Sequence, residues 1–260
     1  MSGHTTGSFD EPAREGLEAL LLSMADDEFV LGFWDSEWTG IAPLLEEDIA
    51  MSSLATDELG HARALYGLLG DLTGRDPDAI AYDRPPEEFR HARILDHPRT
   101  DWAFSMARRW LYDTADAVRL EALADSSYRP LADLVTKIRR EERYHLLHVD
   151  AWLRRLAGTP GEPRDRLSAA LETLRHDATS VFSPLAGESK LVEAGIVAGS
   201  MASLADRWLA EATSILTSLA LPAPDAGADL SGGRTEHSAA FRWLWGEFTS
   251  VRRVDPAAAW

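Results

Sequence analysis

The sequence predicts an all-α fold, a four-helix bundle carrying additional C-terminal helices. Long segments keep their apolar residues at helical spacing, and nothing alternates in the manner of a strand. Glycine and proline cluster between those segments. The connection between the second and third long segments is itself long, as a crossover between two helical hairpins requires.

The first helix is read at 12–37, where Leu17, Leu21, Met24, Glu28 and Leu31 follow one face. The second, 43–70, places Pro43 in its first turn and carries the stripe Leu54, Glu58, His61, Leu65, Leu68. Residues 71–97, with "RPPEEFR", form the crossover. The third helix, 98–126, aligns Met106, Trp110, Asp113, Ala117 and Leu120. The fourth, 130–157, has Pro130 in its first turn and the stripe Val135, Ile138, Glu142, His145, Val149, Trp152. "GTPGEP" (158–163) breaks the chain; further helices are read at 162–182, 187–220 and 236–253, the last after the loop "LPAPDAGADLSGG". One long crossover among four helices is the ferritin-like arrangement. The expected organisation is a single helical domain over 12–260, its core bundle at 12–157, preceded by a flexible lead over 1–11.

Composition narrows the function. No 18-residue run is free of charge, so no transmembrane helix is expected, and the N-terminus lacks the basic flank and apolar segment of a signal peptide. A cytoplasmic location is expected. The net charge of −17 disfavours nucleic acid, whose phosphates need a basic footprint. Lysine is confined to Lys137 and Lys190 among 26 basic residues, a balance that fits a salty cytoplasm or an arginine-rich coding bias. There is no cysteine, so any bound metal is held by nitrogen and oxygen.

Glu58 and His61 stand three positions apart, as do Glu142 and His145, and each pair interrupts an apolar stripe. Residues at i and i+3 share a helix face, so each pair can reach a common point. A carboxylate buried there needs a partner or a metal. Glu28 precedes Glu58 by 30 residues and Asp113 precedes Glu142 by 29, the register that two antiparallel hairpins need to bring all six groups to one level. A carboxylate from each of two helices and Glu-x-x-His from each of the others is the di-metal carboxylate pattern of four-helix bundles. The expected ligands are therefore Glu28, Glu58, His61, Asp113, Glu142 and His145. Asp116 competes with Asp113, and Asp26 and Asp27 with Glu28; structural ion pairing is the bland alternative. Asp57 and Glu141 either hold the outer N–H of the histidines across the bundle or are ordinary surface acids. Tyr144 reads as core packing more readily than as a redox tyrosine, and His148 as polar surface. Trp34, Trp38, Trp102 and Trp110 either line an apolar cavity or fill the bundle.

These residues resemble the phenylacetic acid catabolic family, the ferritin-like subunits of the phenylacetyl-CoA epoxidase system, from about residue 15 onward. "ADDEFVLG", "ERYHLLHVDAWLRRL" and the tail "GGRTEHSAAFRWLWGEF" running to Trp260 are similar to the family's C-type chains. "DELGH", "WLYDTAD" and "REERYH" are similar to the metal positions of its catalytic A-type chains. The resemblance implies a C-type chain with an intact ligand set, in a complex whose A-type member carries two iron ions and binds the CoA thioester. It implies two Fe ions (or Mn), O₂ as co-substrate, a separate reductase for electrons, an A-type partner, an oligomeric assembly and epoxidation of the aromatic ring of phenylacetyl-CoA. An oxygen-rich donor set with one imidazole per metal suits iron or manganese. The alternatives are a non-catalytic chain that stabilises its A-type partner and a ferritin-like ferroxidase. A radical-bearing chain would need a dedicated tyrosine beside the metal, and the absence of cysteine excludes a rubrerythrin of the usual form.

Overall fold

Asp10 starts the first helix by accepting from the backbone N–H of Ala13 at 3.0 Å, with Pro12 in the opening turn. The computed structural model describes residues 10–227 and 233–255. Helix α1 (Glu11–Ser36) is buried along most of its length, including three consecutive acids, Asp26, Asp27 and Glu28. Helix α2 (Leu45–Thr73) pairs with it as the first hairpin and ends at Gly74, whose φ of 75° lets its N–H return to Gly70 O. Pro43 lies outside α2, in the bend before it, so the predicted start at 43 moves to 45.

The crossover contains α3 (Pro77–Tyr82) and two short 3₁₀ turns, Pro86–Glu88 and Arg93–Asp96. Helix α4 (Trp102–Leu123) begins at its cap Asp101, which accepts from Phe104 N at 2.9 Å, four residues later than the sequence pattern suggests. Helix α5 (Arg129–Gly158), opened by Pro130, packs on α4 as the second hairpin. The all-α, ferritin-like bundle is thus formed by α1, α2, α4 and α5, and no strand occurs among the described residues.

Two predicted helices are broken. The segment 162–182 divides into α6 (Glu162–Leu174) and a 3₁₀ stretch, Ala178–Phe182. The segment 187–220 divides into α7 (Glu188–Glu193) and α8 (Met201–Ser218). Gly195 and Gly199, at φ of 69° and 129°, turn the chain between them, and Ser200 caps α8. Helix α9 (Ala239–Phe248) and the short α10 (Ser250–Val254) follow. The expected lead of 1–11 falls largely outside the described residues, and Glu11 itself opens α1.

The core runs from Leu17 to Phe248 through every long helix. Trp34 and Trp38 fill it: their indole N–H groups donate to Leu95 O at 2.9 Å and Ser105 Oγ at 3.0 Å, while Trp102 packs edge-on between Trp38 and Trp152. Trp110 is fully buried on α4. No helix of the described residues is long and apolar enough to cross a membrane.

Buried arginines bind the layers together. Asp26 accepts from Tyr66 Oη at 2.6 Å, Arg84 at 3.0 Å and the N–H of Arg90 at 2.6 Å. Asp27 accepts from Arg119 at 2.6 Å, Arg234 at 2.9 Å and the N–H of Ala92 at 2.6 Å, joining α1 to α4, the crossover and the segment before α9. That segment is latched a second time at Asp96, which takes hydrogen bonds from His91 at 2.7 Å, from His237 and from the backbone of Ser238.

Candidate metal centre

The six predicted residues occupy the middle of the bundle, one from α1, two from α2, one from α4 and two from α5. All are buried, none more than 5% exposed. Gly32 lets α1 lie against α2 beside them: a Cβ there would stand 2.9 Å from Leu59 Cγ and 3.1 Å from Glu58 Cβ.

Both histidines turn Nδ1 inward. His61 Nδ1 lies 3.3 Å from Glu28 Oε2, and 3.6 Å from both Glu58 Oε2 and Glu142 Oε1. His145 Nδ1 lies 3.0 Å from Glu142 Oε1 and 3.3 Å from Glu58 Oε1. The outer nitrogens are held reciprocally across the bundle. His61 Nε2 meets Glu141 Oε2 of α5 at 2.7 Å, and His145 Nε2 meets Asp57 Oδ2 of α2 at 3.3 Å. Asp57 and Glu141 therefore make the cross-bundle contacts expected of groups that orient metal-bound imidazoles.

The electrostatics are those of an over-supplied carboxylate cluster. Burial and the neighbouring charge of Glu58 push the Glu28 carboxyl well above its ordinary range. Burial opposes ionisation of Glu58 too, but hydrogen bonding with Glu28 and the charge of Arg109 hold it well below. Burial likewise raises Asp113, and Glu142 and Glu58 add to that against the pull of Arg109. Burial would lower both imidazoles, yet the close carboxylates of Glu28 and Glu58 push His61 up to about 12, and those of Glu142 and Glu58 push His145 up to about 11.

Glu28, Glu58, His61 and Glu142 present donor atoms that all lie within 4.8 Å of one another. Glu58 Oε2 and Glu142 Oε1 are buried and accept no hydrogen bond. A converging set of three carboxylates and one imidazole, with carboxylate oxygens left unpaired in a dry interior, fits a divalent cation. The other half of the six-residue set differs. Asp113 faces the cluster and Asp116 is turned to Arg119 at 2.6 Å, but the Arg109 guanidinium lies among the donors of this half. Its NH2 is 2.7 Å from Glu58 Oε1, 3.3 Å from Asp113 Oδ2 and 3.4 Å from His145 Nδ1. Asp113 Oδ1 and Oδ2 are also buried without a hydrogen-bond partner, so it is the Arg109 guanidinium, not a shortage of donors, that stands against a second ion there.

Sequence reasoning missed Arg109 and also Tyr112, whose buried hydroxyl donates to Glu28 Oε1 at 3.0 Å. Both lie on α4, which is buried nearly all round, so no apolar stripe marks which of its polar residues face the site. Tyr144, read as core, is 72% exposed because it sits on the outer face of α5. His148 is engaged, meeting Glu47 at 2.8 Å beside the Trp152 indole. Asp26 and Asp27 point to arginines and take no part in the cluster. A cavity of about 530 Å³ between α4, α5 and α8 reaches Glu142, with Arg139 and Arg143 on its wall.

The sequence profile of the phenylacetic acid catabolic proteins matches residues 4–260. The chain belongs to that family. It is 28% identical over 249 residues to the C component of the 1,2-phenylacetyl-CoA epoxidase of Escherichia coli (strain K12), covering 94% of this chain and 99% of that component. Similarity to the A component of the same enzyme is 30% over 121 residues, 46% of this chain and 39% of that component.

Proposed function

We propose that this phenylacetic acid catabolic protein is a cytoplasmic, ferritin-like metal-carboxylate component of a multicomponent, O₂-dependent phenylacetyl-CoA epoxidase, associated with an A-type partner. The observation that carries this reading is the convergence of Glu28, Glu58, His61 and Glu142 in a buried site with two unpaired carboxylate oxygens. Iron, or manganese, is the metal these donors suit, and bound iron would supply one-electron redox chemistry toward O₂. The chain's own part is to position and insulate. Asp57 and Glu141 fix both imidazoles with Nδ1 inward. Glu28, Glu58, His61 and Glu142 would hold the ion, and its binding would depend on pH because these groups must give up protons to act as ligands. Tyr112 steadies Glu28 and supplies a hydroxyl proton beside it. Electrons come from a separate reductase, since this chain has no cysteine for an iron–sulfur cluster.

A second reading, a chain that stabilises its partner without turning over substrate, is favoured by Arg109 among the ligands and by the end-to-end similarity to the C component. Metal content of protein purified without chelator, beside the Glu28→Ala, Glu142→Ala variant, tests the metal site. Turnover of phenylacetyl-CoA with O₂ and reductase, with and without an A-type partner, then separates the two readings. No metal in either protein, with equal thermal stability, would overturn the metal-carboxylate assignment.

A further inference from the structure

We propose that Arg109 fills the second of the two ion positions, so that this chain binds one divalent cation on Glu28, Glu58, His61 and Glu142 beside a fixed guanidinium charge. The inference rests on the metal-carboxylate reading above and deepens it.

Arg109 is completely buried and enters the site from α4, one turn before Asp113. Its NH1 is anchored by Asp35 of α1, which is fully buried and also faces Arg108 at 3.8 Å. With NH1 so fixed, NH2 projects toward Glu58 Oε1, Asp113 Oδ2 and His145 Nδ1. An ion held by those three atoms would need contacts of about 2.0–2.2 Å to each. NH2 is already within 2.7–3.4 Å of all three, so ion and guanidinium would collide. Arginine cannot yield by losing its proton. Moving it aside would leave the buried Asp35 with only the more distant Arg108 to compensate its charge.

Glu58 divides the site. Oε1 accepts from Arg109 at 2.7 Å, whereas Oε2 has no hydrogen-bond partner and faces His61 Nδ1 at 3.6 Å. The carboxylate thus bridges a permanent organic cation and a metal-binding point, the role it would play between two ions. Asp113 and His145 become partners of the guanidinium instead of ligands. The redox consequence is direct. One ferrous ion passing to ferric yields one electron, so a two-electron reduction of O₂ cannot be completed from this chain's ion alone.

The test is Mn²⁺ binding to the full chain by equilibrium dialysis with metal analysis, together with the electron paramagnetic resonance of the bound ion. Expected are one Mn²⁺ per chain with the signal of an isolated ion, and none in the Glu28→Gln, Glu142→Gln variant. Removing both members of the anchoring pair, Arg109→Gln with Asp35→Asn, should raise the stoichiometry to two and give a coupled-pair signal. Asp113→Ala and His145→Ala, made singly, should each keep one Mn²⁺ with affinity changed less than about tenfold, which tests the assignment even where the double variant folds poorly. Two Mn²⁺ in the unaltered protein, or loss of binding in Asp113→Ala, would overturn the role of Arg109 while leaving the metal reading intact. A folded double variant that still binds one ion would also overturn it. Absence of Mn²⁺ from the unaltered protein would overturn both.

Discussion

Replacing Asp27 with asparagine keeps the side chain's shape and removes one negative charge from the centre of the molecule. In the native protein that carboxylate is fully buried and is shared by Arg119, Arg234 and the Ala92 N–H. Arg119 keeps Asp116, and Arg234 keeps two carbonyls, Arg90 O at 2.7 Å and Val181 O at 2.8 Å, so neither guanidinium is wholly stranded. Removing one partner of a buried ion pair costs about 3–5 kcal/mol. At about 2–4 °C per kcal/mol for chains approaching this size, the melting temperature should fall by about 6–20 °C. The pH dependence gives a second reading of the same contact. Burial alone would raise Asp27, but Arg234 and Arg119 outweigh it and hold the group below its ordinary range. A lowered carboxylate contributes in full above the unfolded-state value of about 3.9, and its contribution is lost as pH falls through the folded value. The gap between native protein and Asp27→Asn should therefore be constant from about pH 5 to 7 and narrow below about pH 4. Urea unfolding across that range measures it. A gap under about 1 kcal/mol at pH 7, or one that widens on acidification, would refute the account of Asp27 as a charged hub.

Other contacts make sharper local predictions. Glu141→Gln, which frees the ligand His61, should weaken metal binding by about 10–100-fold, and Asp57→Asn, behind His145, by less than about tenfold, with helicity unchanged in both, as read by Mn²⁺ titration and circular dichroism. Gly32→Ala forces a methyl group into Leu59 and Glu58, and should cost about 1–3 kcal/mol in denaturant unfolding. Saturating Mn²⁺ at about 100 times its dissociation constant should stabilise the chain by about 2.7 kcal/mol, an effect that a chelator reverses and Glu28→Ala abolishes. Tyr144→Ser, at an exposed position, should leave stability within about 0.5 kcal/mol of the native protein.

The sequence was most legible where a polar residue broke an otherwise apolar stripe. Glu58, His61, Glu142 and His145 stood out because α2 and α5 each have a solvent face against which their buried face is defined. Glu28 and Asp113 followed from the hairpin register. Helices α1 and α4 are buried nearly all round, so periodicity could not separate residues aimed at the site from those aimed elsewhere. That is why Asp26, Asp27 and Asp116 remained competitors, and why Arg109 and Tyr112 went unnoticed. The breaks at Gly195 and Gly199 were hidden for a different reason: the apolar pattern continues past them, and only the backbone's positive φ angles stop the helix. The side-by-side exchange of Asp57 and Glu141 between the two histidines was open to reasoning, because each acid immediately precedes a candidate ligand and lies toward the opposite helix.

The latch formed by Arg234 and His237 bears on how the chain comes to be folded during synthesis. Arg234 closes on an aspartate 207 residues earlier, and Gly233 O receives the N–H of Arg93. A ribosome extends the chain by about 5–20 residues each second, so Asp27 waits on the order of ten seconds or more for this partner. Throughout that interval the nascent bundle holds an acid whose full complement of cations has not yet emerged. Completion of the interior is thereby tied to translation past residue 234. A transcript truncated before codon 234 would yield a protein carrying the candidate ligands but missing the clamp at its own centre, and quality-control proteases that probe transient opening would meet it as an unfinished molecule.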